Sequence, residues 1–225
     1  MGDWLWPPGH RELQLILVPD LEHDRGLAQL VTACRKLLAG YPATDRPLPD
    51  ECLHMTLQPI HHGRHADAID AATRRTLITE LGKVFAATPA FTMLIGSVLA
   101  HGRSAVADAD DVEQFDALLD EARRVIAEVC GPDAVAYDTR PAHMAIAYAS
   151  ATQASDSVQG RLRREVRPSY APMTVKSVAL VEVEQDPAQC AFRWRLLHQF
   201  YLADPSSSMD GSCQRQGSPT VCTAW

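Results

Sequence analysis

No stretch of this chain reaches the ~20 consecutive apolar residues that a membrane-spanning helix needs. Its opening residues, Met1-Gly2-Asp3-Trp4-Leu5-Trp6-Pro7-Pro8, lack the basic head and apolar run of a secretory signal. Gly2 invites an acylation reading, but Trp6 stands where that signal wants Ser or Thr. A cytoplasmic protein is the expectation. An excess of positive charge is missing too: 21 Lys and Arg face 28 Asp and Glu, a net charge of −7. A long nucleic-acid surface normally shows a basic face, so it is not expected, although a small anionic ligand is still allowed. No Cys-x-x-Cys pair occurs among the six cysteines, and a chain of 225 residues with 46% hydrophobic content does not depend on disulfide staples. Reduced thiols are expected, with Cys34, Cys52, Cys130 and Cys190 packing as small hydrophobes. Neither Gly-x-Gly-x-x-Gly nor a Walker A pattern is present, so a doubly wound nucleotide-binding fold has no motif behind it.

Two stretches carry the chemistry: Leu53-His54-Met55-Thr56-Leu57-Gln58-Pro59-Ile60 and Ala142-His143-Met144-Ala145-Ile146-Ala147-Tyr148-Ala149. Both read as strands. Side chains alternate along a strand, so His54 and Thr56 share one face while Met55 and Leu57 take the other, toward a core. His143 and Ala145 repeat the frame, with Met144 and Ile146 inward. Two imidazoles on matched strands can act as base and acid near neutral pH, because the reference pKa of histidine, ~6.5, lets one be neutral and the other protonated. That pairing suits the opening of a phosphodiester.

The first stretch fits the His-x-Thr/Ser-x-hydrophobic signature of the two-histidine phosphoesterases, and the second fits it except where Ala145 replaces the hydroxyl. The chain resembles this family, which holds the 2'-5' RNA ligase-like proteins and the cyclic phosphodiesterases. The likeness runs from about Leu13 to Leu202, including a hairpin made of Val175 to Glu182 and the run Phe192-Arg193-Trp194-Arg195. The resemblance implies an α+β, bilobal, pseudo-symmetric fold, with antiparallel-rich sheets lining a central cleft and helices outside. It implies a metal-independent phosphoesterase that needs no cofactor. The expected substrate is a small nucleotide or an RNA terminus carrying a 2',3'-cyclic phosphate. His54 and His143 are the expected catalytic residues, with Thr56, Ala145, Arg140 and Tyr148 at the substrate. Tyr148 shares the His143 face only if a bulge slips the alternation, and Arg140 lies in a loop before Pro141. A monomer is expected.

Two other readings compete. The missing hydroxyl at Ala145 allows a non-catalytic nucleotide or RNA-end binding protein. The run His61-His62-Gly63-Arg64-His65 allows a metal site, although Gly63 weakens a helix that would align His61 with His65, and no acidic or cysteine set stands nearby in sequence. Cys52, two residues before His54, is too far along a strand for a direct hydrogen bond to it.

Residues 1–12 read as a proline-rich leader, 13–202 as a two-lobed domain and 203–225 as a flexible Ser/Gly-rich tail. Helices are expected over 21–40 with Asp20 as N-cap and Gly40 past its end, over 70–87, over 112–129 and over 152–165. Strands are expected at 13–19, 91–99 and 105–107, with 173–184 and 191–202 as a terminal pair. The arginines at 74–75, 123–124 and 161–167 read as solvated helix faces. In the last strand, Phe192, Trp194 and Leu196 oppose Arg193 and Arg195, so either an aromatic or a cationic face meets the cleft.

Overall fold

The computed structural model describes residues 5–41, 45–101, 103–149, 151, 155–189 and 191–204; for Asp45, His101 and Ser155 it describes the backbone alone. The expected tail, with Cys213 and Cys222, and Cys190 lie outside the described residues. In chain order the elements are β1 (Arg11–Leu17), α1 (Arg25–Leu38), β2 (Asp45–Pro47), β3 (Met55–Ile60), α2 (Ala71–Ala87), β4 (Phe91–His101) and β5 (Ser104–Asp110). They continue with α3 (Glu113–Cys130), β6 (His143–Ala149), α4 (Ser155–Glu165), β7 (Tyr170–Val175), β8 (Ser177–Asp186) and β9 (Ala191–Tyr201).

The strands run in the order β7-β4-β5-β6-β3-β1-β8-β9, all pairs antiparallel, with β2 added beside β6. The order divides into two sets of four. β6 is the inner strand of one set and β3 of the other, and the sets meet at a single register pair, Met55 opposite Met144. Each inner strand carries one of the two histidine motifs. Helices α1 and α4 pack behind the first set and α2 and α3 behind the second, which gives the α+β arrangement with sheets on the cleft side and helices outside. The main core lies between sheet and helices, where Leu15, Leu27, Met55, Leu81, Phe115 and Met144 are fully buried.

The expected strand 173–184 is in fact two strands. β7 ends at Val175 and β8 begins at Ser177, yet β7 sits at one end of the strand order and β8 next to the other. Consecutive Cα atoms are ~3.8 Å apart, so one intervening residue cannot bridge the ends of a flat eight-strand sheet. The sheet therefore curls until its ends approach, and the backbone N–H of Leu202 donates to the Lys176 carbonyl where they do. Apolar alternation continues through both strands, so nothing local marked the break.

Local signals held where capping chemistry is self-contained. The Asp70 carboxylate accepts from the backbone N–H groups of Ala72 and Thr73 at 2.8 and 2.9 Å and starts α2. Gly131, at φ 91°, ends α3. Asp20, by contrast, does not cap α1, which starts a turn later. Asp20 holds His23, and Asp24 at the N-cap position turns its carboxylate to the backbone N–H and hydroxyl of Thr174 in β7. A tertiary partner outcompeted the local one.

Two of the arginines expected on solvated helix faces point inward. Arg74 reaches Glu182, which also receives Arg11 and Arg195 and is 4% exposed. Burial pushes the Glu182 carboxyl up, and the arginines outweigh it and hold it below the usual value. Arg123 donates to the Gln58 side-chain oxygen and to the carbonyls of Tyr137 and Val135, each at 2.8 Å. Arg124, one residue on, does behave as expected and pairs with Glu121 and Glu128 on the exposed face.

Candidate active site

His54 and His143 lie on the cleft side of the two inner strands. With Met55 opposite Met144, antiparallel pairing sets Thr56 opposite His143 and Ala145 opposite His54. Each motif thus places its third residue beside the histidine of the other motif. Met55, Leu57, Met144 and Ile146 are buried on the far face, as the alternation required.

Both imidazoles are oriented by the same local bond. His54 Nδ1 lies 3.0 Å from the carbonyl oxygen of Cys52, and His143 Nδ1 lies 2.9 Å from that of Pro141. A carbonyl can only accept, so Nδ1 donates in each ring and Nε2 is the nitrogen left to face chemistry. Cys52 therefore serves through its backbone, in a short 3-10 turn over Asp50–Cys52 and not on the histidine strand; its buried thiol is pushed up by burial. Cys34, deeper in the core, is pushed up to about 12 for the same reason.

The environments of the two rings differ. His54 is 9% exposed and sits in edge contact with Trp194, ring centroids 5.0 Å apart. Burial lowers its pKa below the ordinary 6.5, the carbonyl of Cys52 opposes that shift, and the charge of nearby His143 adds to it. Burial thus favours the neutral ring in His54. His143 is exposed.

His143 and Thr56 line a cleft of about 130 Å³ with Trp6, Gln14, Pro59, His62, Tyr137 and Thr139. A bulge in β3 explains why Thr56 and Pro59 face it together. Leu15 pairs with Gln58 but Ile16 with Thr56, so Leu57 is an extra residue and the alternation slips. The Leu57 carbonyl, displaced from the ladder, accepts from the Thr139 hydroxyl at 2.7 Å. Gln58 turns into the protein, donating to the Tyr137 and Pro59 carbonyls while accepting from Arg123. These bonds pin residues 135–139 against β3 and carry Tyr137 and Thr139 to the cleft.

A second bulge settles Tyr148. Ala105 pairs with Ala147 and Val106 with Ala145, so Ile146 is the extra residue in β6. Beyond it Tyr148 reaches Phe192, ring centroids 5.6 Å apart. Phe192 and Trp194 form the cleft face of β9, over Ile16, Val181 and Val183, and Trp6 packs on Phe192 at 5.4 Å. The aromatic face of β9 meets the cleft; Arg195 and Arg193 turn to Glu182 and Asp186. Arg140 is not brought to the cleft, since its guanidinium is held by Asp120 and Asp138.

Sequence reasoning missed Trp6, Gln14, Tyr137 and Thr139, and singled out His62 only within a candidate metal run. Trp6 fell in the stretch set aside as a leader, although β1 begins at Arg11. Gln14 did carry a signal, being a polar residue inside an apolar strand. It is 8% exposed and opens to the cleft, with no protein partner for its side-chain amide among the described residues. The run His61 to His65 does not converge: His62 contacts Glu12, His65 contacts the Gly9 carbonyl, and His61 Nδ1 is buried without a partner. Among the described residues no three His, Cys, Asp or Glu side chains form a metal-holding group. A larger hollow of about 470 Å³, lined by Gln159, Arg163, Arg167 and Tyr170, lies away from both histidines.

No protein-family model matches the chain, and no curated protein matches it by sequence. Solved structures do match its fold. TT0787 of Thermus thermophilus aligns with a TM-score of 0.63 at 19% identity, over 86% of this chain and 99% of that one. LigT of E. coli, in its apo form, aligns at 0.58 and 15%, over 86% and 98%. A structure described as a phosphoesterase aligns at 0.56 and 14%, over 86% and 99%. The chain therefore shares the fold of these structures, the α+β arrangement that the resemblance implied. No helix of the described residues is long and apolar enough to cross a membrane.

Proposed function

We propose that the protein is a phosphoesterase that opens 2',3'-cyclic phosphodiesters at RNA ends or in related nucleotides, with His54 and His143 as its catalytic pair and no metal. The observation that carries this is the matched orientation of the two rings. Each donates Nδ1–H to a carbonyl two residues before it, at matched places on adjacent strands, and so keeps Nε2 for chemistry. E. coli LigT has been crystallised with 3'-AMP and with phosphate, ligands that fit such a reaction.

The roles follow from the environments. His54, neutral because it is buried, takes a proton from water through Nε2 as the water oxygen attacks phosphorus. One of the two ester bonds in the ring breaks, and the departing ribose oxygen takes a proton from His143. Hydroxyl and amide donors stabilise the charge that builds on the non-bridging oxygens. Thr56 serves beside His143. On the His54 side Ala145 has no donor to give, whereas Gln14, opposite Pro59 in β3, adds an amide donor on the side of Thr56 and His143. Trp194 and Phe192 exclude water from the far side of His54 and offer apolar surface to a base.

A second reading, a nucleotide-binding protein without turnover, is favoured by Ala145 together with the burial of His54 under Trp194. Hydrolysis of a 2',3'-cyclic nucleotide in the presence of chelator separates the two. The enzyme turns it over, and His54→Ala and His143→Ala each lose at least a hundredfold in rate. Binding without turnover selects the second reading, and turnover that chelator abolishes but His54→Ala retains rules out the mechanism.

A further inference from the structure

Glu12 is fully buried, and it is surrounded by imidazoles. It lies on the cleft side of β1, in the same alternation as Gln14. Its carboxylate meets His62 Nδ1 at 3.1 Å, His10 Nε2 at 3.4 Å and the backbone N–H of Gly63 at 3.1 Å. His65 stacks edge-on to His10 with ring centroids 5.7 Å apart, and Trp6 does the same at 5.1 Å. A buried carboxylate is tolerated where hydrogen bonds and positive charge answer it. Here the answering groups are two histidines and the Gly63 N–H, not an arginine. His10 is shut in, with a side chain 13% exposed, whereas His62 is 35% exposed and lines the cleft shared by Thr56 and His143.

The bond to Glu12 fixes the His62 ring. Nδ1 donates to the carboxylate, and Nε2 is left without a protein partner among the described residues. Tyr137 lies against the same ring, centroids 4.5 Å apart, which holds its plane. The result is an oriented ring that donates through Nε2–H to an anion when protonated, in the cleft that also holds His143 and Thr56.

We propose that His62, positioned by Glu12, binds a second phosphate of the substrate, one nucleotide linkage away from the phosphate that reacts. The inference rests on the phosphoesterase reading and narrows it: the preferred substrate is an oligonucleotide end or a nucleotide carrying a further phosphate, not a lone cyclic mononucleotide. Trp6 and Tyr137 line the same cleft and offer flat apolar surface to a nucleoside.

Affinity tests this without depending on turnover. Calorimetric titration of the whole protein with a nucleoside 3'-monophosphate and with the matching 3',5'-bisphosphate reads the second phosphate directly. The wild-type chain binds the bisphosphate roughly tenfold to a hundredfold tighter, the range of one hydrogen bond to charge. His62→Gln removes most of that preference, lowering bisphosphate affinity far more than monophosphate affinity. Glu12→Gln, which touches no ligand, reduces the preference in part and shifts the ring nitrogen resonances of His62. A wild-type ratio within twofold overturns the proposal and needs no variant to read. Equal losses on both ligands in His62→Gln overturn it as well and assign the ring to another part of the substrate. Absence of turnover with a preserved bisphosphate preference defeats the catalytic reading and leaves this subsite standing.

Discussion

Ala145 and Gln14 offer the sharpest test of how the cleft handles phosphate. The register pair Met55–Met144 puts Ala145 opposite His54, where the paired motif would place a hydroxyl, while Gln14, opposite Pro59, opens to the cleft on the side of Thr56 and His143. A hydrogen bond to a charged group contributes ~1.5–3 kcal/mol, and ~1.4 kcal/mol is a tenfold change in rate. If Gln14 donates to the phosphate, Gln14→Ala lowers kcat/KM for a 2',3'-cyclic nucleotide by roughly tenfold to a hundredfold. Ala145→Ser adds a donor on the His54 side, which Gln14 does not serve, and raises the rate by a similar factor; serine adds one oxygen at a site that is 8% exposed and needs no repacking. The double variant stays near wild type because the two effects add at separate places. Thr56→Ala, on the Gln14 side, loses a similar factor. Steady-state rates for the four proteins, with unfolding midpoints to confirm folding, give the full cycle. Gln14→Ala within twofold of wild type would refute the reasoning and show that the Gln14 amide does not reach the phosphate.

Two further outcomes are expected. His54 has a pKa below its ordinary 6.5 in the folded protein, so the folded state holds fewer protons than the unfolded one, and stability present above about pH 6.5 is lost as pH falls through that value and below. The urea midpoint therefore drops between pH 7.5 and pH 5.5 by less in His54→Gln than in wild type, and an identical drop in both would assign the loss to other groups; the acid limb of kcat/KM lies below 6.5 for the same reason. Arg123→Met keeps the buried stem but strips three acceptors of their donor, which costs about 2–4 kcal/mol and raises KM because residues 135–139 carry Tyr137 and Thr139. A loss under about 1 kcal/mol in urea unfolding would mean that water replaces the guanidinium there.

The histidine strands were legible because strand alternation is a local property: once Met55, Leu57, Met144 and Ile146 are apolar, His54, Thr56, His143 and Ala145 must take the other face. The N-cap at Asp70 and the stop at Gly131 were legible for the same reason, each being satisfied within its own turn. What the sequence by itself determined was therefore which residues share a face. Which faces meet was decided only in three dimensions. The bulges at Leu57 and Ile146 depend on partner strands, and they alone bring Pro59 and Tyr148 to the cleft side. Arg74 and Arg123 read as solvated because their acceptors, Glu182 and the loop carbonyls near Tyr137, belong to other elements. Glu12 and His62 are 50 residues apart and meet only when β1 pairs with β3. A buried charge finds its partner through register, and register is a property of pairs of segments that neither segment contains.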